Sequence, residues 1–130
     1  MRNLQLMINK AALALQNAYA PYSNYQVAAC IMSSDDKIFT GVNVENCSYG
    51  LTLCAEASAI CQMISSGSKT IQAMVIMNGE NTLCPPCGAC RQRISEFTTS
   101  ETIIHLCHHN SVIQSIPFKE LLPLAFQLKR

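Results

Sequence analysis

Charge is scarce in this chain. Asp, Glu, Lys and Arg make up 13% of its 130 residues, about half the usual share of a soluble protein. The net charge is +1 and no cluster of Lys or Arg occurs, which argues against a surface that binds nucleic acid by neutralising phosphates. No continuous apolar run approaches the roughly 20 residues that a membrane helix needs. Near the start, where Leu-rich sequence imitates an apolar leader, Gln5, Asn9, Lys10, Gln16 and Asn17 interrupt it. Internal repeats, low-complexity tracts and linkers are missing too, so residues 1–130 are expected to form one domain with one substantial core. Hydrophobic residues reach 49%, more than a lone copy could cover with so little charge. Substantial subunit interfaces and a small free substrate are the expectation.

What the chain has in quantity is cysteine, eight in all. The sequence lacks the loop-rich character of a disulfide scaffold, and thiolates that bind metal must stay reduced, so a cytoplasmic location fits better. Three cysteines stand out: Cys54, with Glu56 two residues on, and the pair Cys87 and Cys90. A bare C-x-x-C reads equally well as a redox pair or a zinc knuckle. The glutamate tips the balance, because structural zinc sites fill all four positions with Cys or His, whereas three protein ligands leave a position for water. Cys84 offers a second, overlapping C-x-x-C. It precedes Pro85 and Pro86, however, while Cys87 and Cys90 follow them, where a helix can start and i, i+3 side chains share a face. Cys84 is therefore taken as a spare thiol. Cys54 also opens a run of helix formers, Ala55 to Ile64, that ends near Gly67. Two helix starts facing one ion would supply free N–H groups and lower the thiol pKa values.

Read in order, Leu4, Met7, Ile8, Ala11, Ala12, Leu15 and Ala18 recur at helical spacing up to Pro21. A strand over 26–32, the polar turn 33–36 and a second strand from 37 to about 45 form a hairpin at one side of the sheet. The apolar run 71–77 reads as a central strand covered on both faces, and 102–107 and 111–116 as the last two strands. His108 and His109 between them, beside Cys107, could form a second metal cluster, but without a further acidic or thiol partner they read as a polar hairpin turn. Residues 117–124 make a short terminal helix or turn. The order αββαβαββα implies an α/β fold with a mixed sheet and helices on its faces. Asn43 and Glu45, two apart on an extended segment, leave it on one face. Together an amide and a carboxylate suit a hydroxyl-bearing ligand, although a solvated strand end is the default for such a pair. Tyr25, beside a strand, is by default core or rim.

Pro21-Tyr22-Ser23, Gly41-Val42-Asn43-Val44-Glu45-Asn46, Ser48-Tyr49-Gly50, Cys54-Ala55-Glu56, Pro86-Cys87-Gly88-Ala89-Cys90-Arg91-Gln92 and Leu121-Leu122-Pro123-Leu124-Ala125-Phe126 together resemble the small three-cysteine cytidine deaminases. The stretches cover nearly the whole length. The resemblance implies a three-layer sandwich on a mixed five-stranded sheet with helices on both faces. It implies one Zn2+ per subunit held by Cys54, Cys87 and Cys90, with Glu56 moving protons as cytidine or 2′-deoxycytidine is hydrolysed to the uridine product and ammonia in pyrimidine salvage. It gives Tyr25 to stacking on the base, the Ala55 backbone to the base edge, and Asn43 and Glu45 to the ribose. It implies a homotetramer whose shared sites receive Tyr49 and Phe126 from neighbouring subunits. The chain departs from the family at Ala57, where most relatives carry Arg, and the two helix starts with Arg91 or Arg93 are the expected compensation. Other readings are a deaminase of a modified cytosine nucleoside, as in the blasticidin deaminases, and an inactive zinc protein.

Overall fold

Alternating and continuous apolar stretches pair here into one sheet, seen in a computed structural model that describes residues 2–128; the expected 1–130 span runs past these at both ends. In chain order the elements are α1 (Arg2–Leu15), β1 (Val27–Ser33), β2 (Ile38–Val42), a 3-10 turn (Tyr49–Leu51), α2 (Ala55–Ser65), β3 (Ile71–Asn78), α3 (Gly88–Ser95), β4 (Thr98–His108), β5 (Ser111–Pro117) and α4 (Phe118–Leu121). The five strands lie in the order β2-β1-β3-β4-β5. β1 pairs antiparallel with both β2 and β3, and β5 with β4, while β3 and β4 run parallel with α3 as the crossover. The element order and the mixed α/β sheet expected above are therefore observed.

Period-two alternation builds two cores from one sheet. β1 sends Ala29 and Ile31, β3 Met74 and Ile76, and β4 Ile104 and Leu106 to one face, where Ala59, Ile60 and Met63 of α2, Ile94 of α3, and Phe118 and Leu121 of α4 cover them. Ala28, Cys30, Val75 and Met77 point the other way and pack under Met7, Ile8 and Ala11 of α1. Three layers result. Apart from Gln72, β3 is buried along its length, as a strand covered on both faces must be.

The layer with α2 is set by one glycine. A Cβ on Gly41 would stand 2.3 Å from Ala59 N and 2.6 Å from Ala55 O, so β2 and α2 touch backbone to backbone. The Ser58 hydroxyl adds a bond of 2.9 Å to the Val42 carbonyl. This contact brings the start of α2, and with it Cys54 and Glu56, down onto the sheet.

Several boundaries differ from the sequence reading: α1 ends at Leu15, short of Ala18, and α4 spans only Phe118–Leu121. β2 ends at Val42 rather than near Glu45, because the chain turns there to bridge Val44 to both Tyr19 and Leu53. β4 starts at Thr98, before the expected 102, because Thr98 already pairs with Ile71 across a register shift. No helix among the described residues is long and apolar enough to cross a membrane.

Candidate functional site

Two helix starts meet. Cys54 is the N-cap of α2 and Cys87 the N-cap of α3, both in extended conformation, and Cys90 sits in the first turn of α3. Their sulfurs all lie within 4.8 Å of one another, the one such group of potential ligand atoms among the described residues. Cys107, His108 and His109 form no comparable group. His109 bonds the Asn81 side chain and His108 Nε2 the Ser111 hydroxyl at 2.8 Å, so this is the polar hairpin end that the sequence indicated.

Glu56, one residue into α2, is 5% exposed and has its carboxylate against the Cys90 thiol. Burial pushes its pKa up, more than its own amide, Cys90 and the Arg93 guanidinium pull it down. Burial also raises Cys54, against a hydrogen bond with Cys90. Cys90, fully buried, is held far above the ordinary thiol range by desolvation and then by Glu56 and Cys54. Desolvation acts upward on Cys87 as well, but hydrogen bonds from the Cys90 amide and from the other two thiols outweigh it and leave Cys87 below its usual value. Lowered thiols, expected from the helix starts, are thus found at Cys87 alone; at Cys54 and Cys90 burial is the stronger influence. A buried carboxylate that resists ionisation beside three close sulfurs is a donor set that a divalent cation would stabilise, and three soft thiolates suit zinc.

Asn43 and Glu45 flank Val44, which bridges to Leu53 just before Cys54, and both are engaged with the segment that leads into β1. The Val27 amide donates to Asn43 Oδ1 at 2.9 Å, and Asn43 Nδ2 donates to the Tyr25 carbonyl at 2.8 Å. Glu45 accepts from the amides of Tyr22 and Ser23 at 3.0 and 3.2 Å and from the Ser23 hydroxyl. These bonds, the Ser23 hydroxyl foremost, hold its carboxyl below the usual range. Each side chain retains capacity, since an amide can make four hydrogen bonds and a carboxylate can accept about four.

Tyr25 links the two halves. Its carbonyl takes the Asn43 amide, while its hydroxyl receives Asn78 Nδ2 at 2.9 Å and faces Cys84 Sγ at 3.5 Å. Cys84, half-buried, is raised by desolvation and also feels the charge of Glu56. The thiol set aside as spare therefore touches Tyr25 and lies within electrostatic reach of Glu56. Ala55 occupies the first helical position of α2 and is buried. Tyr49 and Phe126 are 74% and 68% exposed; Tyr49 meets only the edge of Tyr22 among the aromatic rings described, and the Phe126 carbonyl takes a bond from Gln92 on the outer side of α3.

Asn78 escaped the sequence reading. It is fully buried at the end of β3, and besides Tyr25 it bonds the Thr82 hydroxyl and accepts from the amides of Glu80 and Thr82. An Asn-Gly pair after an apolar run signals a turn, and nothing in that signal names the tyrosine at position 25.

The description "Cytidine and deoxycytidylate deaminase zinc-binding region" belongs to the family model that matches residues 1–106. The cytidine deaminase of Halalkalibacterium halodurans is 40% identical over 122 residues, covering 94% of this chain and 92% of that one. The crystal structure of cytidine deaminase from Mycobacterium tuberculosis superimposes with a TM-score of 0.85 at 36% identity, over 97% of this chain and 98% of that one. Cytidine deaminase from Burkholderia pseudomallei gives 0.84 at 34%, over 97% and 99%.

Proposed function

Since the chain belongs to the cytidine and deoxycytidylate deaminase family, we propose that it hydrolyses cytidine and 2′-deoxycytidine to uridine and 2′-deoxyuridine, with the residue roles that follow. The observation that carries this reading is the convergence of three sulfurs within 4.8 Å beside the buried carboxylate of Glu56. Cys54, Cys87 and Cys90 would hold one zinc ion per subunit. When bound, zinc supplies a Lewis acid able to bring the pKa of water from 15.7 to about 7.

The chain's own residues do the rest. Glu56 takes a proton from the attacking water and delivers it to N3 of the pyrimidine as oxygen adds to C4. As the C4–N bond breaks, the same carboxyl passes the second proton to the departing amine, and ammonia leaves. Its raised pKa suits a group that must both accept and return protons near neutral pH. Tyr25 offers its ring to the base, where stacking contributes about 1–3 kcal/mol. The Ala55 backbone, at the N-terminus of α2, can donate to the base edge. Asn43 and Glu45 take the ribose hydroxyls with the bonding capacity that the 22–27 segment leaves them.

Tyr49 and Phe126 belong to shared sites of a homotetramer. What supports this is their exposure on a single copy, together with exposed Leu51, Leu53 and Leu124: large apolar side chains that one chain leaves in water. Sedimentation of a 14.3 kDa chain as a monomer would rule this out. One domain, a cytoplasmic location and a role in pyrimidine salvage complete the reading.

The loss of cytidine absorbance on conversion to uridine tests the activity. Turnover is expected with cytidine and deoxycytidine and a drop of at least about 10³-fold in kcat for Glu56→Ala, since the proton transfers are lost. Zinc-loaded protein that binds cytosine nucleosides without converting any of them would overturn the enzyme reading, and turnover of modified cytosine nucleosides alone would redirect it.

A further inference from the structure

Three thiolates around a divalent cation leave one negative charge in excess, and an ionised Glu56 adds another. Two helix starts offset part of this, but Ala57, nearly buried in the first turn of α2, brings no charge. The cation that the structure places at the cluster comes from the other helix. Arg93 follows Cys90 by three residues on α3, so the two share a helix face, and its Nη1 lies 3.6 Å from Cys90 Sγ. The same guanidinium acts by charge on Cys54, Cys87 and Glu56. Arg91 is spent elsewhere: its Nε donates to the Pro86 carbonyl at 2.9 Å and its Nη1 to the Leu121 carbonyl at 3.0 Å.

We propose that Arg93 is a positioning residue for the metal centre: by donating an N–H to the Cys90 sulfur it neutralises the excess charge of the thiolate set and tunes how tightly the ion is held. The inference rests on the reading that Cys54, Cys87 and Cys90 bind zinc, and goes beyond it in assigning the counter-charge to a side chain outside the ligand set. An N–H···S bond withdraws electron density from the thiolate, leaving the metal more positive. Removing it should leave the sulfurs richer in charge, weaken the complex and blunt the metal as an acid. Groups that orient metal ligands from outside commonly affect affinity or activity by about 10–100-fold.

The test compares Arg93→Gln and Arg93→Lys with the parent protein by zinc competition against a chromophoric chelator, and by the sulfur-to-metal charge-transfer band after cobalt substitution. Arg93→Gln should bind zinc at least about tenfold more weakly, and its cobalt band should move to longer wavelength. Arg93→Lys, which keeps charge but not the planar fork, should fall between. Arg93 is exposed, so the variants should fold, and the lysine variant alone suffices if the glutamine one does not. Parent protein that takes up no zinc would defeat the ligand assignment. Parent and variants with equal affinity and the same cobalt band would defeat the role of Arg93 and leave that assignment standing.

Discussion

Tyr25 shows how much a single hydroxyl can be asked to do. Its hydroxyl faces the Cys84 sulfur and is gripped by Asn78, itself fully buried and bonded to Thr82, while its backbone carbonyl takes the Asn43 amide. We therefore expect Asn78 to hold the ring in register for the base. Tyr25→Phe should raise KM for cytidine several-fold, consistent with loss of one hydrogen bond of about 1 kcal/mol, with little change in kcat. Asn78→Ala should also raise KM, but by distinctly less when introduced into Tyr25→Phe, because the shared bond is already gone. Independent, multiplicative effects would mean that Asn78 serves the 78–82 loop and not the ring. At this scale the cluster of Cys54, Cys87 and Cys90 was legible, since these residues, with Glu56 beside the first, announce themselves by spacing. Asn78 was not, and Arg93 could be named only as one of two candidates beside Arg91. What matters about Asn78 is a partner 53 positions away, and Arg93 looks like any solvent-facing basic residue until Cys90 is seen beside it. The thiol pKa values were misjudged for a related reason: helix starts are visible in sequence, whereas the depth at which Cys90 is buried is not.

Among the elements, α2 and β2 carry the most demanding contact. Gly41 brings the two backbones so close that any side chain must push α2 away from the sheet, and the displaced atoms would be backbone atoms of Ala55, Ser58 and Ala59. Gly41→Ala is expected to cost about 3 kcal/mol, at the upper end of overpacking effects, seen as a lower urea midpoint. Because Cys54 and Glu56 lie on the shifted helix, zinc affinity should fall in parallel. An unchanged midpoint with normal zinc uptake would show that α2 is held by its apolar face alone. Most elements could be read beforehand, because α1, β1 and β3 have unmixed periodicity. The end of β2 could not, since the turn after Val42 is fixed by Asn43 bonding to the backbone of Tyr25 and Val27. The start of β4 was hidden by its polar residues Thr98 to Glu101, of which Thr98 pairs with Ile71, itself bonded at 2.6 Å by the Thr102 hydroxyl.

For the molecule as a whole, the cysteine cluster ties together parts of the chain that lie far apart in sequence. Zinc bound only by the folded form should add on the order of 4 kcal/mol when present at about 1,000 times its Kd. A chelator should therefore lower the unfolding temperature of the parent protein but not that of Cys54→Ala. Equal effects on both would place the stabilising ion elsewhere.

The central position of β3 has a further consequence. Residues 55–86 separate the first sulfur from the second, and this span includes the sheet's middle strand. The native approach of Cys54 to Cys87 is fixed only once that strand lies between its antiparallel and parallel neighbours. Metal capture should therefore act as a checkpoint late in refolding, with cobalt colour developing only after strand circular dichroism has been regained, and a chain halted before β3 docks should have nowhere to load the ion.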